Sequence, residues 1–368
     1  MPDAETPIRV GLDGHAIGRR KTGNESYVLG LASALAARPD VDLTLYIDRG
    51  VAWPFGGPGP QTRPLRSSSP YLRIPLELPI RAGRDGIEIL HVQYVVPPFI
   101  GVPLVTAVHD LSFEDLPSAM PFRRRWRLRA TVRHAARRSA MLLAPTEFTR
   151  RRLIDRYRVP ADRVVVASPG VVPPVVAGPI DDAVRRGLPS SYVLFTGEVQ
   201  PRKNLPRLVD AIGRVRASGI DIGLVIAGRP GWGTADLDAS IARHHAAGWV
   251  RRLGYVDRPT LQALYAGARL IGYPSLYEGF GLPVVEGMAA GVPVVTSSTT
   301  AIPEVAGGAA VLVDPLDADA IADAIARVST DETLRSDLIA AGVRRAADFR
   351  PENVVEQTVA AYRRVIDA

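Results

Sequence analysis

The stretch Tyr273–Ser298, YPSLYEGFGLPVVEGMAAGVPVVTSS, decides the fold. An apolar strand ends at Tyr273 to Ser275, a loop presents Glu278, Gly279, Phe280 and Gly281, and Pro283 opens a helix where its missing N–H costs nothing. The next strand follows at Val292 to Thr296. Helix N-termini carry unpaired amides and the positive end of the helix dipole, and glycines let an anion approach that backbone closely. Glu278, together with Glu286 in the first helical turn, places a carboxylate on each side of such a site. That arrangement suits hydrogen bonds to sugar hydroxyls flanking a diphosphate. A plain strand-turn-helix with Glu286 complementing the dipole explains the same pattern equally well.

Working outward, short β-rich apolar runs alternate with helical patterns on both sides, the signature of parallel sheets covered by helices. Towards the N-terminus the strands are Ile8 to Asp13, Leu43 to Ile47, Ile87 to Val92, Leu104 to His109 and Met141 to Ala144, with helices at Glu25 to Ala37 and Phe122 to Ser139. Pro and Gly cluster from Ser168 to Pro189, which reads as a linker centred on Val171 to Pro189. The alternation then restarts with strands Tyr192 to Thr196, Gly223 to Ala227, Val250 to Tyr255, Leu270 to Tyr273 and Ala310 to Val313. Helices are expected at Pro206 to Ala217, Ala235 to Ala246, Pro259 to Ala268, Pro283 to Ala290 and Pro351 to Ile366. The expected organisation is an N-terminal domain over 1–175, a second doubly wound domain over 176–350 and a C-terminal helix over 351–368. In such sheets ligands sit beyond the carboxyl ends of the strands.

The 368 residues exceed what one core usually serves, and 46% hydrophobic content spread along the chain fits globular domains. No apolar run reaches the roughly 18 residues of a membrane span, and the start MPDAETPIRV lacks the basic and apolar regions of a secretory signal. A cytoplasmic location is the expectation. Zero cysteines exclude disulfides, thiolate metal sites and a cysteine nucleophile. The net charge of +7 accords with anionic partners. Lys21 and Lys203 are the two lysines of the chain, every other non-histidine base being arginine, so each marks a place where a compact ammonium is retained.

Several further segments lie in a common order. GEVQPRKN (Gly197–Asn204), LVIAGRPGWG (Leu224–Gly233) and LGYVDRPTLQALYAGARLIGYPS precede the decisive stretch; TAVHDLSFEDLP (Thr106–Pro117), APTEFTRRRL (Ala144–Leu153) and ASPGV (Ala167–Val171) lie in the first half. With Glu278 and Glu286 eight positions apart around GFGLPVV, the set resembles the E-x7-E motif and flanking segments of the retaining glycosyltransferases of family 4. The resemblance implies the GT-B fold, two Rossmann-like doubly wound parallel-sheet domains facing a central cleft, with the C-terminal helix crossing back to the first. It also implies transfer of a hexose from a nucleoside diphosphate sugar to an acceptor hydroxyl with retention of configuration, by front-face displacement, without metal or cofactor. The GRPGWG loop is similar to that of relatives using GDP-mannose, which selects this donor over UDP-glucose or dTDP-rhamnose.

Site residues follow from the same resemblance. Glu278 would touch the transferred sugar and Glu286 the ribose, while backbone amides at Gly279, Phe280, Gly281 and Leu282 meet sugar and diphosphate. Arg202 and Lys203 would neutralise the diphosphate; the alternative is a solvated basic pair opening the next helix. Gly23 and Gly228 would help bind the donor, and Tyr255 and Val256 would line the nucleobase pocket, although an aromatic after a strand is more often packing. His109, ending a strand at the lip of the first sheet, would face the sugar, where a lone histidine is otherwise commonly structural.

The chain departs from the family pattern twice. The first-domain turn is extended, GLDGHAIGRRKTGNESYVLGL, placing Gly23 and Asn24 at the helix entry with Tyr27 behind, and Glu198 stands where some relatives carry arginine. The acceptor is an unidentified glycan, lipid-linked or small molecule. Arginines crowd 121–139 around Phe122, Trp126 and Leu128, which reads either as a peripheral membrane contact or as a solvated face. No nucleic-acid module accompanies them. A nicotinamide oxidoreductase is disfavoured because GLDGHAIG after the first strand has the wrong glycine spacing. A non-catalytic nucleotide-sugar-binding protein stays open, against which stand the intact Glu278, Glu286 and Lys203.

Overall fold

The computed structural model describes residues 6–19, 22–55, 59–67, 69, 72–172 and 182–368. The chain forms two compact units. One comprises the described residues up to Asp115 with Pro121–Val171 and Arg350–Ala368, the other Leu116–Met120 with the described residues from Val172 to Phe349. Lys21 and most of the expected linker lie outside the described residues; the linker's far end holds a helical turn, Asp182–Arg185.

In the first unit, strands β1 (Ile8–Asp13), β2 (Val41–Asp48), β3 (Gln61–Leu65), β4 (Ile89–Gln93), β5 (Leu104–Ala107), β6 (Met141–Ala144) and β7 (Val164–Val166) form one parallel sheet. Its spatial order is β3-β2-β1-β4-β5-β6-β7, so the direction of winding reverses between β1 and β4. Val10 stands opposite both Leu43 and Ile89. Strands covered on both faces run largely apolar, and ILHVQ of β4 is buried along its whole length, the polar His91 and Gln93 included.

Alternate residues feed two cores. Leu45, Ile89 and Val105 join helices Thr22–Ala36 and Pro351–Ile366 on one face. Tyr46, Leu90 and Leu104 join Leu78, Ala82 and Ala135, from helices Leu78–Arg84 and Phe122–Arg138, on the other.

The helix Pro351–Ile366 thus belongs to the first unit although it ends the chain. Val355, Val359 and Tyr362 are buried on the first-unit core, each contributing about 1.5–3 kcal/mol of apolar burial. Arg363 donates to Asp40 at 2.7 Å at the rim. Two glycines permit the approach: a Cβ on Gly30 would lie 2.4 Å from the Gly170 carbonyl oxygen, and one on Gly170 would lie 2.7 Å from Pro351 Cα.

In the second unit β8 (Tyr192–Thr196), β9 (Gly223–Ala227), β10 (Val250–Gly254), β11 (Leu270–Tyr273), β12 (Val294–Ser297) and β13 (Val311–Val313) lie parallel in the order β10-β9-β8-β11-β12-β13. Its reversal falls between β8 and β11, the doubly wound order that places a ligand crevice at the carboxyl ends of those two strands. Both sheets are the Rossmann-like architecture expected from the alternation.

The differences from expectation are local. β3 (QTRPL) and β7 (VVV) were not anticipated, because one is a polar edge strand containing proline and the other is three residues long. β5 ends at Ala107 rather than His109, so His109 lies beyond the strand. Glu286 is not in the first turn: the helix runs Leu282–Ala289 with no acidic residue in that turn, and Glu286 sits one turn further along.

Candidate active site

The site builds from the chain leaving β8. After Gly197, whose φ of +129 favours glycine, a single turn at Pro201–Lys203 delivers Lys203, and Asn204 takes the left-handed conformation ahead of helix Leu205–Ala217. Asn204 Nδ2 donates to the carbonyls of Pro274 at 2.9 Å and Pro315 at 2.6 Å, while Leu276 N donates to Arg202 O at 2.7 Å. These bonds clamp the Arg202-Lys203 turn against the end of β11. The two strands involved are those flanking the reversal.

On this scaffold Glu278 receives four donors. Lys203 Nζ at 2.6 Å, Ser275 Oγ at 2.6 Å and Tyr273 Oη at 3.0 Å donate to Oε1; Arg202 Nη1 at 2.9 Å donates to Oε2. Lys203 also reaches the Tyr273 hydroxyl and stands 4.8 Å from the centre of its ring. Glu278 and Lys203 are 6% and 8% exposed, so this is a buried ion pair with a second cation beside it. Burial alone would raise the Glu278 pKa, but the charges of Arg202 and Lys203 and the bonds from Lys203 and Ser275 outweigh it and hold the carboxyl at about 2. The carboxylate is ionised, and Oε2 retains acceptor capacity beyond its single bond to Arg202. Its backbone N donates to Thr300 Oγ1 at 3.2 Å, which fixes the loop.

Glu286 occupies a different environment. Tyr265 OH donates to its Oε2 at 2.7 Å and is itself 2.9 Å from Thr196 Oγ1 at the end of β8. Burial raises its pKa, with Tyr265 and Arg258 opposing. Gly228 lies where β9 ends beside β8: a Cβ there would come within 1.8 Å of the Gly197 carbonyl oxygen, so the position requires glycine for close packing. Gly228 N donates to Gly254 O at 2.7 Å, bringing the loop of Tyr255 and Val256 alongside, and Tyr255 is 39% exposed. Gly281, with φ +100, precedes the helix, while the Phe280 side chain is buried edge-on to Phe349 at 5.2 Å. Phe280 thus serves packing through its ring whatever its amide does.

The structure therefore brings Arg202, Lys203 and Glu278 into direct contact and sets Glu286 and Gly228 along the same row of strand ends. His109 and Gly23 belong to the first unit. His109 Nε2 lies 2.9 Å from Gln93 Oε1, and its ring meets Tyr27 at 4.5 Å and Tyr94 at 5.4 Å, both edge-on. Burial depresses its pKa to about 4, keeping the imidazole neutral. Gly23 is exposed in the first turn of helix Thr22–Ala36.

Sequence reasoning missed Ser275 and Tyr273, although both stand in the quoted stretch, because a short polar residue after a strand looks like any turn. It also missed His91, buried within β4, whose Nδ1 meets Tyr362 OH at 2.6 Å and whose Nε2 meets Tyr27 OH at 3.1 Å. Nothing in local sequence signals that contact, since Tyr362 comes from the last helix.

The family model described as "Glycosyl transferases group 1" matches residues 181–345, and "Glycosyltransferase Family 4" matches residues 22–173. O-antigen chain mannosyltransferase B of Escherichia coli is 35% identical over 266 residues, covering 70% of each chain. The MMP alpha-(1->4)-mannosyltransferase of Mycolicibacterium hassiacum is 29% identical, covering 85% of this chain and 77% of its own. In fold, the chain is similar to sucrose-phosphate synthase from Thermosynechococcus elongatus, with a TM-score of 0.75 at 20% identity, covering 98% of this chain and 99% of that one. The chain belongs to glycosyltransferase family 4 and is a glycosyltransferase of the GT-B fold.

Proposed function

We propose that the protein transfers mannose from GDP-mannose to an acceptor hydroxyl with retention of configuration. The observation that carries the reading is the buried meeting of Arg202 and Lys203 with Glu278 at the β8/β11 reversal. Two cations are held there by one carboxylate that still has acceptor capacity. A nucleoside diphosphate sugar supplies complementary chemistry: phosphate oxygens for the cations and hydroxyls for the carboxylate.

In this reading the bond from the sugar's anomeric carbon to the diphosphate oxygen breaks while a bond to the acceptor oxygen forms on the same face. The acceptor's proton passes to the departing phosphate, whose growing charge Arg202 and Lys203 stabilise. Glu278 orients the sugar, and Glu286, held by Tyr265, takes the ribose. Arg202 and Lys203 supply the positive charge that a metal would otherwise bring to the diphosphate. The mannosyl donor is supported by the names of the two relatives and by the GRPGWG loop.

Donor turnover with GDP-mannose, UDP-glucose and dTDP-rhamnose, with and without chelator, tests this. Mannose transfer with an axial anomeric product is expected, unchanged by chelator. An inverted product, or a strict metal requirement, would overturn the mechanism. A protein that binds these donors but turns none of them over, even by hydrolysis, would favour a binding role instead.

We also propose peripheral contact with an anionic membrane face through helix Phe122–Arg138. Phe122 and Trp126, one turn apart, are 66% and 60% exposed amid the arginines. Leu72, Leu76 and Ile80 are exposed as well, around a helix on the same face of the sheet. No helix among the described residues is long and apolar enough to cross a membrane. Phe122→Ser with Trp126→Ser should abolish co-sedimentation with anionic vesicles.

A further inference from the structure

We propose that Gln93, at the carboxyl end of β4, fixes the tautomer of His109 and offers its second amide atom to a hydroxyl of a bound sugar. The proposal rests on the transferase reading above and assigns a residue which that reading leaves out. Gln93 is 3% exposed. Its Oε1 is 2.9 Å from His109 Nε2, while its Nε2 is buried without a hydrogen-bond partner. A buried donor left unpaired costs about 1–3 kcal/mol, so the arrangement becomes favourable when a ligand supplies the acceptor.

The amide oxygen can only accept, so the proton of a neutral His109 sits on Nε2 and its Nδ1 is a bare acceptor. One residue then carries an N–H donor and its neighbour a nitrogen acceptor. Sugar hydroxyls, which both accept and donate, match that pair; a phosphate, which only accepts at neutral pH, does not. The location fits as well, because β4 flanks the reversal of the first sheet, where doubly wound sheets bind ligands.

The surroundings hold both side chains still. Tyr27 from helix Thr22–Ala36 and Tyr94 just after β4 flank the His109 ring, and Tyr94 OH accepts from Asp110 N at 3.0 Å. Tyr94 itself has φ +55, a left-handed turn that directs the chain away immediately after Gln93. The titratable groups facing His109 are Tyr27, Tyr94, His91 and Asp110; of these the Asp110 charge raises its pKa, but burial dominates and depresses it.

The test uses the full-length protein with Gln93→Glu and Gln93→Met. Long-range proton–nitrogen NMR of the six histidines reads the tautomer and titration of His109 without any substrate. Wild type should show Nε2 protonated and Nδ1 bare near neutral pH. Gln93→Glu places a carboxylate on Nε2, which favours the imidazolium. His109 should then titrate at least about one pH unit higher, and the acid limb of kcat for donor turnover should rise with it. Gln93→Met, which needs no new charge in the interior, should give mixed tautomers, roughly a tenfold loss of kcat from one lost contact, an unmoved acid limb and unchanged affinity for free nucleoside diphosphate.

A wild-type His109 protonated on Nδ1 would overturn the proposal. So would Gln93→Met with wild-type tautomer and kcat. If the NMR results hold while no sugar donor is turned over, the tautomer assignment stands and the transferase reading is what has failed.

Discussion

The two sheets share a winding pattern but treat the ionisable groups beside their reversal points differently. At the ends of β8 and β11 three full charges meet, a buried Glu278 ionised between a part-buried Arg202 and a buried Lys203. In the first sheet, β4 and β5 lead into neutral rings and an amide, His91, His109, Tyr27 and Gln93, while the end of β1 carries a buried charge of its own, Asp13 facing His15 and Arg73. Desolvation acts on both, and the difference lies in what opposes it. Two cations within hydrogen-bonding distance overcome burial for Glu278, whereas nothing of comparable strength faces the histidines, so they remain neutral. On the proposed reading, the Arg202-Lys203 cluster handles phosphate and the Gln93-His109 pair handles hydroxyls.

The comparison is attacked most directly at Lys203. Lys203→Ala should lower kcat by roughly 10²- to 10³-fold, the cost of about 2.7–4 kcal/mol typical of one charge-stabilising contact. Steady-state kinetics with the sugar donor measures it. Glu278→Gln should transfer poorly while binding free nucleoside diphosphate nearly normally by calorimetry, and Glu286→Ala should weaken nucleotide binding itself. Near-wild-type turnover in both Lys203→Ala and Glu278→Gln would end the site assignment.

Acid stability sharpens the contrast next. The Glu278 pKa is about 2 in the folded protein, below its ordinary 4.5, so its contribution is present above pH 4.5 and lost as pH falls towards 2. The amount is on the order of 3 kcal/mol, and urea unfolding across that window should fall more steeply in wild type than in Glu278→Gln. The histidines lose stability in a higher window. Held neutral down to about pH 3 in the folded state, His91 stabilises fully above its unfolded value of about 6.5 and progressively less below it.

His91→Phe should remove that part of the acid slope. It should also cost about 1–3 kcal/mol at neutral pH for each tyrosine hydroxyl left unpaired. A variant with an unaltered slope would show that His91 is not held neutral. The smallest effect belongs to Tyr265→Phe, which removes one hydrogen bond to Glu286 and should weaken nucleotide binding by about 1 kcal/mol, some fivefold in Kd.

What was legible in the sequence followed from period and punctuation. β1, β6, β8, β9, β11 and the last helix have the boundaries expected from their apolar runs and flanking Pro or Gly. β3 was invisible because its burial is slight and its residues are QTRPL. In the candidate site, Glu278 and Lys203 stood out by motif and by the rarity of lysine, but their direct pairing did not. The two stand 75 positions apart and meet only because β8 lies beside β11. The Gln93-His109 pair and the His91-Tyr362 bond were illegible for the same reason, since each is made by the crossing of strands or by a helix from the far end of the chain.

That far-end helix also sets the order of biosynthesis. The first unit starts its sheet with β1 but lacks Val355, Val359 and Tyr362 until the helix Pro351–Ile366 has left the ribosome. The second unit, complete in sequence at Phe349, is translated within that wait. Domains made in sequence usually fold in sequence; in this protein the unit begun first is the last able to close its core, so truncations of a few turns at the C-terminus should expose the oldest part of the chain rather than the newest.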